Sequence, residues 1–140
     1  TGVQFEKSDT GVATDFEHRS FAQEIQLCKR YYEVLVNGNG LNWGGVAVMH
    51  TSDSPNHVCN WVEKRATPSL EFVEGSGYYR YYSNDTYLSA NKPSSLAYAT
   101  KISGIISTAS SLTSGSLVAG GAAWSYTVNA NAYIAVSAEL

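Results

Sequence analysis

Charged side chains are scarce in this sequence. They make up 15% of the 140 residues, against about 25% in an average soluble domain, and the formal net charge is −3. Lysine and arginine are scattered along the chain, so it lacks the positive field with which proteins gather phosphate groups. The composition therefore argues against a nucleic-acid partner and predicts a surface that is polar but largely uncharged.

Long apolar runs are also missing. No stretch approaches the ~20 residues that a membrane-spanning helix needs, and no charged segment followed by an apolar one opens the chain as in a signal peptide. Both observations argue against membrane insertion.

Cysteine is rare, with only Cys28 and Cys59 present. They form neither a dense disulfide framework nor a metal-type C-x-x-C spacing. A disulfide between them is one possibility, but we expect two buried free thiols, since unpaired cysteine is among the most buried residue types. No cofactor and no metal site are predicted.

One helix start is well marked. Ser20 followed by Gln23 is a capping-box pattern, and apolar residues recur after it at helical steps. We expect a helix over residues 20–35, ended by the turn-forming pairs of residues 37–40. The members of its apolar stripe are Phe21, Ile25, Cys28, Tyr32 and Leu35.

After residue 40 the composition changes. Short runs rich in Val, Ile, Thr, Tyr and Trp are separated by Gly, Ser, Asn and Pro. This pattern indicates a mainly β fold, an antiparallel β-sandwich of jelly-roll type with one N-terminal α-helix packed on a sheet or along a subunit contact. We expect residues 1–19 to be an arm that connects to a preceding module, and residues 20–140 to be one domain. The predicted strands are 43–50, 57–65, 69–74, 78–83, 86–90, 98–108, 122–129 and 131–138.

The densest aromatic run is the YYRYY of residues 78–82. On a strand, alternate residues point to opposite faces, and both faces cannot be core. One face therefore meets a partner subunit, a loop or a ligand. Apolar sugar faces pack on aromatic rings, so a glycan site is one interpretation, with a covered sheet face or subunit contact as the other. The candidate glycan-binding residues are Tyr79, Tyr81, Asn84, Asp85, Tyr87 and Trp43. Trp61 and Trp124 are assigned to the core.

Two other functions, metal binding and glycoside hydrolysis, have weaker support in the sequence. His50, Asp53 and His57 surround one loop but match no compact metal motif. Glycoside hydrolysis needs two paired carboxyl groups, and Glu71 and Glu74 would face opposite sides of a strand. The sequence predicts a non-catalytic protein.

Several motifs resemble one known family. Residues 13–20 read ATDFEHRS, residues 24–33 read EIQLCKRYYE, and the chain ends in SAEL. Val62, Arg65, Ala66 and Pro68 match a further "V-x-x-R-A-x-P" element. Together they resemble the C-terminal domains of tailed-bacteriophage tail-fibre and tail-spike proteins.

The resemblance implies a virion protein, assembled in the bacterial host cytoplasm, that attaches the phage to its host. Expected partners are two further copies in a homotrimer, other virion tail proteins, and bacterial surface polysaccharide or lipopolysaccharide. The charged residues in these motifs are interpreted as a network that holds the arm against the helix. This network comprises Glu17, Arg19, Arg30 and Glu33. Alternatives are a purely structural trimerisation domain and a polysaccharide depolymerase.

Overall fold

The computed structural model describes residues 11, 19–83, 85–108, 112–114 and 117–138. The predicted arm lies outside these residues, apart from Gly11 and Arg19. Within the described part, the chain is mainly β, with one helix and two antiparallel sheets, as the sequence predicted. The jelly-roll connectivity stays a prediction.

The helix begins where the capping box placed it. In α1 (Phe21–Lys29), the Ser20 hydroxyl accepts from the Gln23 amide at 3.3 Å, and the Gln23 side chain accepts from the Ser20 amide at 2.8 Å. Each contact satisfies a backbone amide that the first turn leaves without a partner. The helix start is therefore confirmed.

The predicted helix end at residue 35 is wrong. The chain leaves the helix after Lys29, and Tyr32–Asn37 forms a strand that pairs with the last strand of the fold. Tyr and Val favour strands, and a ladder to a distant part of the chain overrides the helical spacing of Tyr32 and Leu35. None of the α1 residues is buried, so within the described chain the helix does not pack on a sheet, and packing along a subunit contact stays a prediction.

Eleven strands follow one another in the described residues. Their bounds are β1 (Tyr32–Asn37), β2 (Ala47–Thr51), β3 (Ser54–Asn60), β4 (Ser69–Phe72), β5 (Tyr79–Ser83), β6 (Thr86–Ala90), β7 (Ser95–Ala97), β8 (Ser103–Ser107), β9 (Leu112–Ser114), β10 (Ala122–Thr127) and β11 (Tyr133–Ser137). The predicted strand 86–90 coincides with β6. The predicted strand 98–108 is wrong over its first half, because Thr100 makes a hydrogen-bonded turn with Ser103 there.

The strands form a large and a small sheet. The small sheet has the order β1-β11-β4, and the large one has the order β7-β8-β3-β2-β10-β5-β6-β9. The core lies between them: Val36, Ile134 and Val136 come from the small sheet and pack with a buried set from the large one. That set includes Met49, Tyr79, Tyr81, Leu88, Ile106 and Ala123.

Both cysteines are free. Cys59 is buried, as expected for an unpaired thiol, whereas Cys28 is exposed because α1 buries none of its faces. The expectation of a buried Cys28 is thus wrong. In the part of the chain that the structure describes, no helix is long and apolar enough to span a bilayer.

Candidate glycan-binding surface

Three of the predicted glycan contacts lie in the core. Tyr79 and Tyr81 have an exposed fraction of 0%, and Trp43 has 1%. The two tyrosines point from β5 toward the small sheet, and the indole of Trp43 meets their ring edges at centroid distances of 6.0 and 5.7 Å. A ligand on the surface of this domain cannot contact the two tyrosines, so their assignment as sugar-binding residues is wrong. Trp43 is buried beside them and is one of the residues that line a pocket with Val58 and Asn60.

The hydroxyls of these tyrosines are used inside the fold. Tyr79 donates to the Val73 carbonyl at 2.7 Å and accepts from the Tyr133 amide at 3.3 Å, which ties the large sheet to the small one. The Tyr81 hydroxyl is hydrogen-bonded to the Thr108 hydroxyl. Burial raises the pKa of both phenols, because the charged phenolate is disfavoured away from water.

The opposite face of the same strand carries an exposed aromatic row. Trp124 on β10 lies opposite Tyr82 on β5, and Tyr82 lies opposite Tyr87 on β6. The exposed fractions are 68%, 39% and 48%. Neighbouring strands are about 4.8 Å apart, so the row extends over about 10 Å across three strands. We call Trp124, Tyr82 and Tyr87 the aromatic row.

Polar groups flank this row on both sides along the strands. Asp85, in the β5–β6 turn with a φ of 57°, accepts from the Tyr82 hydroxyl at 2.7 Å. This hydrogen bond to a carboxylate raises the pKa of Tyr82. The guanidinium of Arg80 lies 4.8 Å from the centroid of the Tyr87 ring, a cation–π distance that holds both side chains against the sheet. The surface thus combines flat apolar rings with a carboxylate and a guanidinium.

Two predicted site residues, Asp85 and Tyr87, belong to this surface, and Asn84 lies outside the described residues. Sequence reasoning missed Tyr82 and assigned Trp124 to the core, which is wrong. A usable signal was present: Arg80 shares a face with Tyr82, and burying an unpaired guanidinium is costly. The face that carries Arg80 is therefore the outer one.

The predicted charged network has different partners. Glu33 pairs with Lys64 at 2.7 Å and accepts from the Val62 amide at 2.9 Å, while Lys64 also donates to the Lys29 carbonyl. The Lys64 side chain is fully buried. Its ion pair joins β1 to the segment after β3, and its hydrogen bond to Lys29 joins the same segment to the end of α1. Sequence reasoning missed Lys64, because nothing in its neighbourhood marks it as buried.

The other two members of that network that the structure describes do not join Glu33. Arg19 lies 3.5 Å from Glu24, an exposed pair of little energetic weight. Arg30 contributes its backbone carbonyl, which accepts from the Arg65 amide at 3.0 Å. Glu17 lies outside the described residues. Among the described residues, the predicted partner of Glu33 is therefore corrected to Lys64, and the part of the network that involves Glu17 stays a prediction.

The loop considered for metal binding does not gather its residues. His57 is buried on the inner face of β3, His50 is exposed, and Asp53 accepts from the Thr51 hydroxyl at 2.6 Å. Among the described residues, no three metal-binding side chains converge.

Comparison with known proteins gives no match: no family model, no curated protein and no solved structure is similar to this chain. The resemblance to phage tail fibres therefore rests on the motif residues alone.

Proposed function

We propose that this chain is a non-catalytic C-terminal domain of a tailed-bacteriophage tail fibre or spike, and that it attaches the virion to glycans of the bacterial surface through the aromatic row. The observation that supports this function best is the alignment of Trp124, Tyr82 and Tyr87 on three adjacent strands. Proteins rarely expose a row of large aromatic side chains without a partner for it.

The chemistry of the row suits a saccharide chain. Aromatic rings offer flat apolar area at low entropic cost, since each has two side-chain torsions to fix. Asp85 and Arg80 supply an acceptor and donors for sugar hydroxyls. The partners proposed on this basis are bacterial surface polysaccharide or lipopolysaccharide.

The test is glycan binding by the purified chain, first on an array of bacterial polysaccharides and then by titration calorimetry. We expect Trp124→Ala to weaken binding about tenfold or more, the equivalent of at least ~1.4 kcal/mol. The matched control is Tyr98→Ala, which removes an exposed aromatic ring beyond β7, at the far edge of the large sheet. Equal affinity of both variants and the parent chain would exclude the row as the binding surface.

A second candidate function is structural trimerisation within the fibre. It is favoured by the exposed apolar residues of α1, where Phe21, Ile25 and Leu27 have no buried neighbour in the helix. Light scattering tests it directly. A mass of three chains that falls to one chain in Phe21→Glu, but not in the exposed-site control Gln26→Glu, is the expected result. A monomeric parent chain would contradict it.

A further inference from the structure

A single charged residue lies within the large sheet, and it is next to the aromatic row. Arg80 is the only Lys, Arg, Asp or Glu in the eight described strands of that sheet. It lies on β5, the middle strand of the row, and shares a face with Tyr82 because the two are two positions apart. The strands on both sides of it contribute only neutral side chains to this face.

The Arg80 side chain is held against the sheet without an acidic partner. Its guanidinium packs over the Tyr87 ring, and its Nε is buried and makes no hydrogen bond. No carboxylate of the described residues forms an ion pair with it, and Asp85 accepts from the Tyr82 hydroxyl instead. Removing part of a charged group from water costs free energy unless an opposite charge compensates it. The described chain does not provide that charge.

The end of the Arg80 side chain is open to a ligand. Nε is the only nitrogen of this guanidinium that is closed off from solvent without a partner, so the two terminal nitrogens remain in contact with solvent. Tyr126 lies directly opposite on β10 and is also partly exposed. The Cβ atoms of such a pair are about 5 Å apart, which puts a hydroxyl donor on the same face as the guanidinium.

An oxyanion suits this position. The planar fork of a guanidinium binds a carboxylate or a phosphate through two parallel hydrogen bonds, which are about twice as strong as bonds between neutral groups. Neutral sugar hydroxyls would leave the positive charge uncompensated. Arg80 and Tyr82 are about 7 Å apart along the strand, so an anionic substituent of a sugar that is stacked on the row can reach the guanidinium.

We propose that the ligand of the aromatic row is an acidic glycan, and that its carboxylate or phosphate group binds to Arg80. That the ligand is a glycan rests on the proposed function, whereas its negative charge follows from the unpaired guanidinium. The rings would bind the apolar sugar faces of many polymers. Arg80 would select the acidic ones, because a neutral polymer leaves the partly buried charge without a partner.

The experiment is an array of neutral and acidic bacterial polysaccharides, on which each acidic one is present in native, carboxyl-reduced and dephosphorylated form. We expect the full chain to bind at least one native acidic polysaccharide about tenfold or more tightly than the form that lacks its anion. Loss of binding on carboxyl reduction identifies a carboxylate as the bound group. Loss on dephosphorylation identifies a phosphate.

Variants at Arg80 test whether this residue reads the charge. In Arg80→Gln, the native and the anion-free polysaccharide should bind equally weakly. Arg80→Lys keeps the charge but not the fork and should give an intermediate affinity, so it also reports on the site if the Gln variant is unstable. The matched control is Lys101→Gln, which removes one exposed cation before β8, toward the other edge of the sheet, and should keep the preference.

The outcomes separate the acidic ligand from the proposed function. Binding that Trp124→Ala weakens, but that neither removal of the anion nor Arg80→Gln changes, overturns the acidic ligand alone. An equal loss in Arg80→Gln and Lys101→Gln also overturns it, because the preference would then come from the overall charge of the protein. Absence of binding to every polysaccharide, acidic or neutral, overturns the proposed function and the acidic ligand together.

Discussion

The two faces of β5 use the same amino acid in opposite ways. On the inner face, Tyr79 and Tyr81 are fully buried and their hydroxyls bond within the protein. On the outer face, Tyr82 is exposed beside Trp124 and Tyr87, with a solvent-accessible carboxylate on its hydroxyl. A run of tyrosines thus contributes to the core and to a surface at once, since successive strand residues point to opposite sides.

This difference shows under which conditions a tyrosine stabilises the fold. The inner hydroxyls reach backbone or side-chain groups that would otherwise be buried without partners, so ring and hydroxyl both stabilise the fold. The outer rings gain less from folding, because a large part of each stays in contact with water. Variants of the two faces should therefore affect different measurements.

The largest effect is expected for Tyr81→Ala. Removing a buried aromatic ring leaves a cavity and should lower the free energy of unfolding by about 3–5 kcal/mol. Denaturant titration measures this loss. Trp124→Ala is the outer-face control and should change stability far less; comparable losses for the two variants would contradict the assignment of the faces.

The second largest effect on stability is expected when the pH is lowered. His57 contacts Tyr81 with ring centroids 5.4 Å apart, and burial lowers its pKa to about 4 from the usual 6.5. As the pH falls, the unfolded chain takes up the proton first. The stabilisation by neutral His57 is therefore complete above pH ~6.5 and is lost progressively down to pH ~4, a difference of about 3 kcal/mol.

Denaturant titrations between pH 7 and pH 4 test this, with His57→Leu as the control. The carboxylates titrate in both proteins, so the histidine contribution is the difference between the two curves. Parallel curves would show that the imidazole is protonated equally easily in both states, and that His57 is not enclosed as described.

A smaller effect is expected when only an inner hydroxyl is removed. Tyr79→Phe keeps the ring but leaves the Val73 carbonyl and the Tyr133 amide without their partner, which should cost about 1–3 kcal/mol. Thermal and denaturant unfolding both report it. A neutral result would mean that the hydroxyl does not tie the two sheets together.

The smallest effect is expected for the matched outer variant, Tyr82→Phe. Its hydroxyl bonds to exposed Asp85, so its loss should change stability by less than about 0.5 kcal/mol. Glycan affinity should fall less than in Trp124→Ala, because the ring stays. If Tyr82→Phe weakened binding as much as the loss of the indole, the hydroxyl and not the ring would carry the interaction.

Local signals in the sequence predicted local structure. The capping box located the start of α1, and the short run of residues 86–90 that follows turn-forming residues located β6, since both depend on neighbours within a few positions. The end of the helix could not be predicted from local signals, because β1 exists only through its pairing with β11, about 100 residues later. Tyr32 and Leu35 are three positions apart, which suits one face of a helix, and only the pairing with that distant strand makes them strand residues.

The candidate surface was predicted in part for a similar reason. Alternation identified two faces of β5 but not which one is covered, and the wrong face was chosen. Trp124 joins Tyr82 only through the pairing of β10 with β5, which no local pattern reveals. The burial of Lys64 likewise depends on Glu33, 31 positions away.

The position of β1 beside β11 has a mechanical consequence. Tyr32 is paired with Ser137, so the beginning of the first strand and the end of the last strand lie side by side. A force that pulls these two points apart would open the ladder one rung at a time from that end, instead of loading all rungs together. Glu33, on the second rung, is also tied to Lys64 of the segment after β3, so such a force would load that ion pair once the first rung has opened.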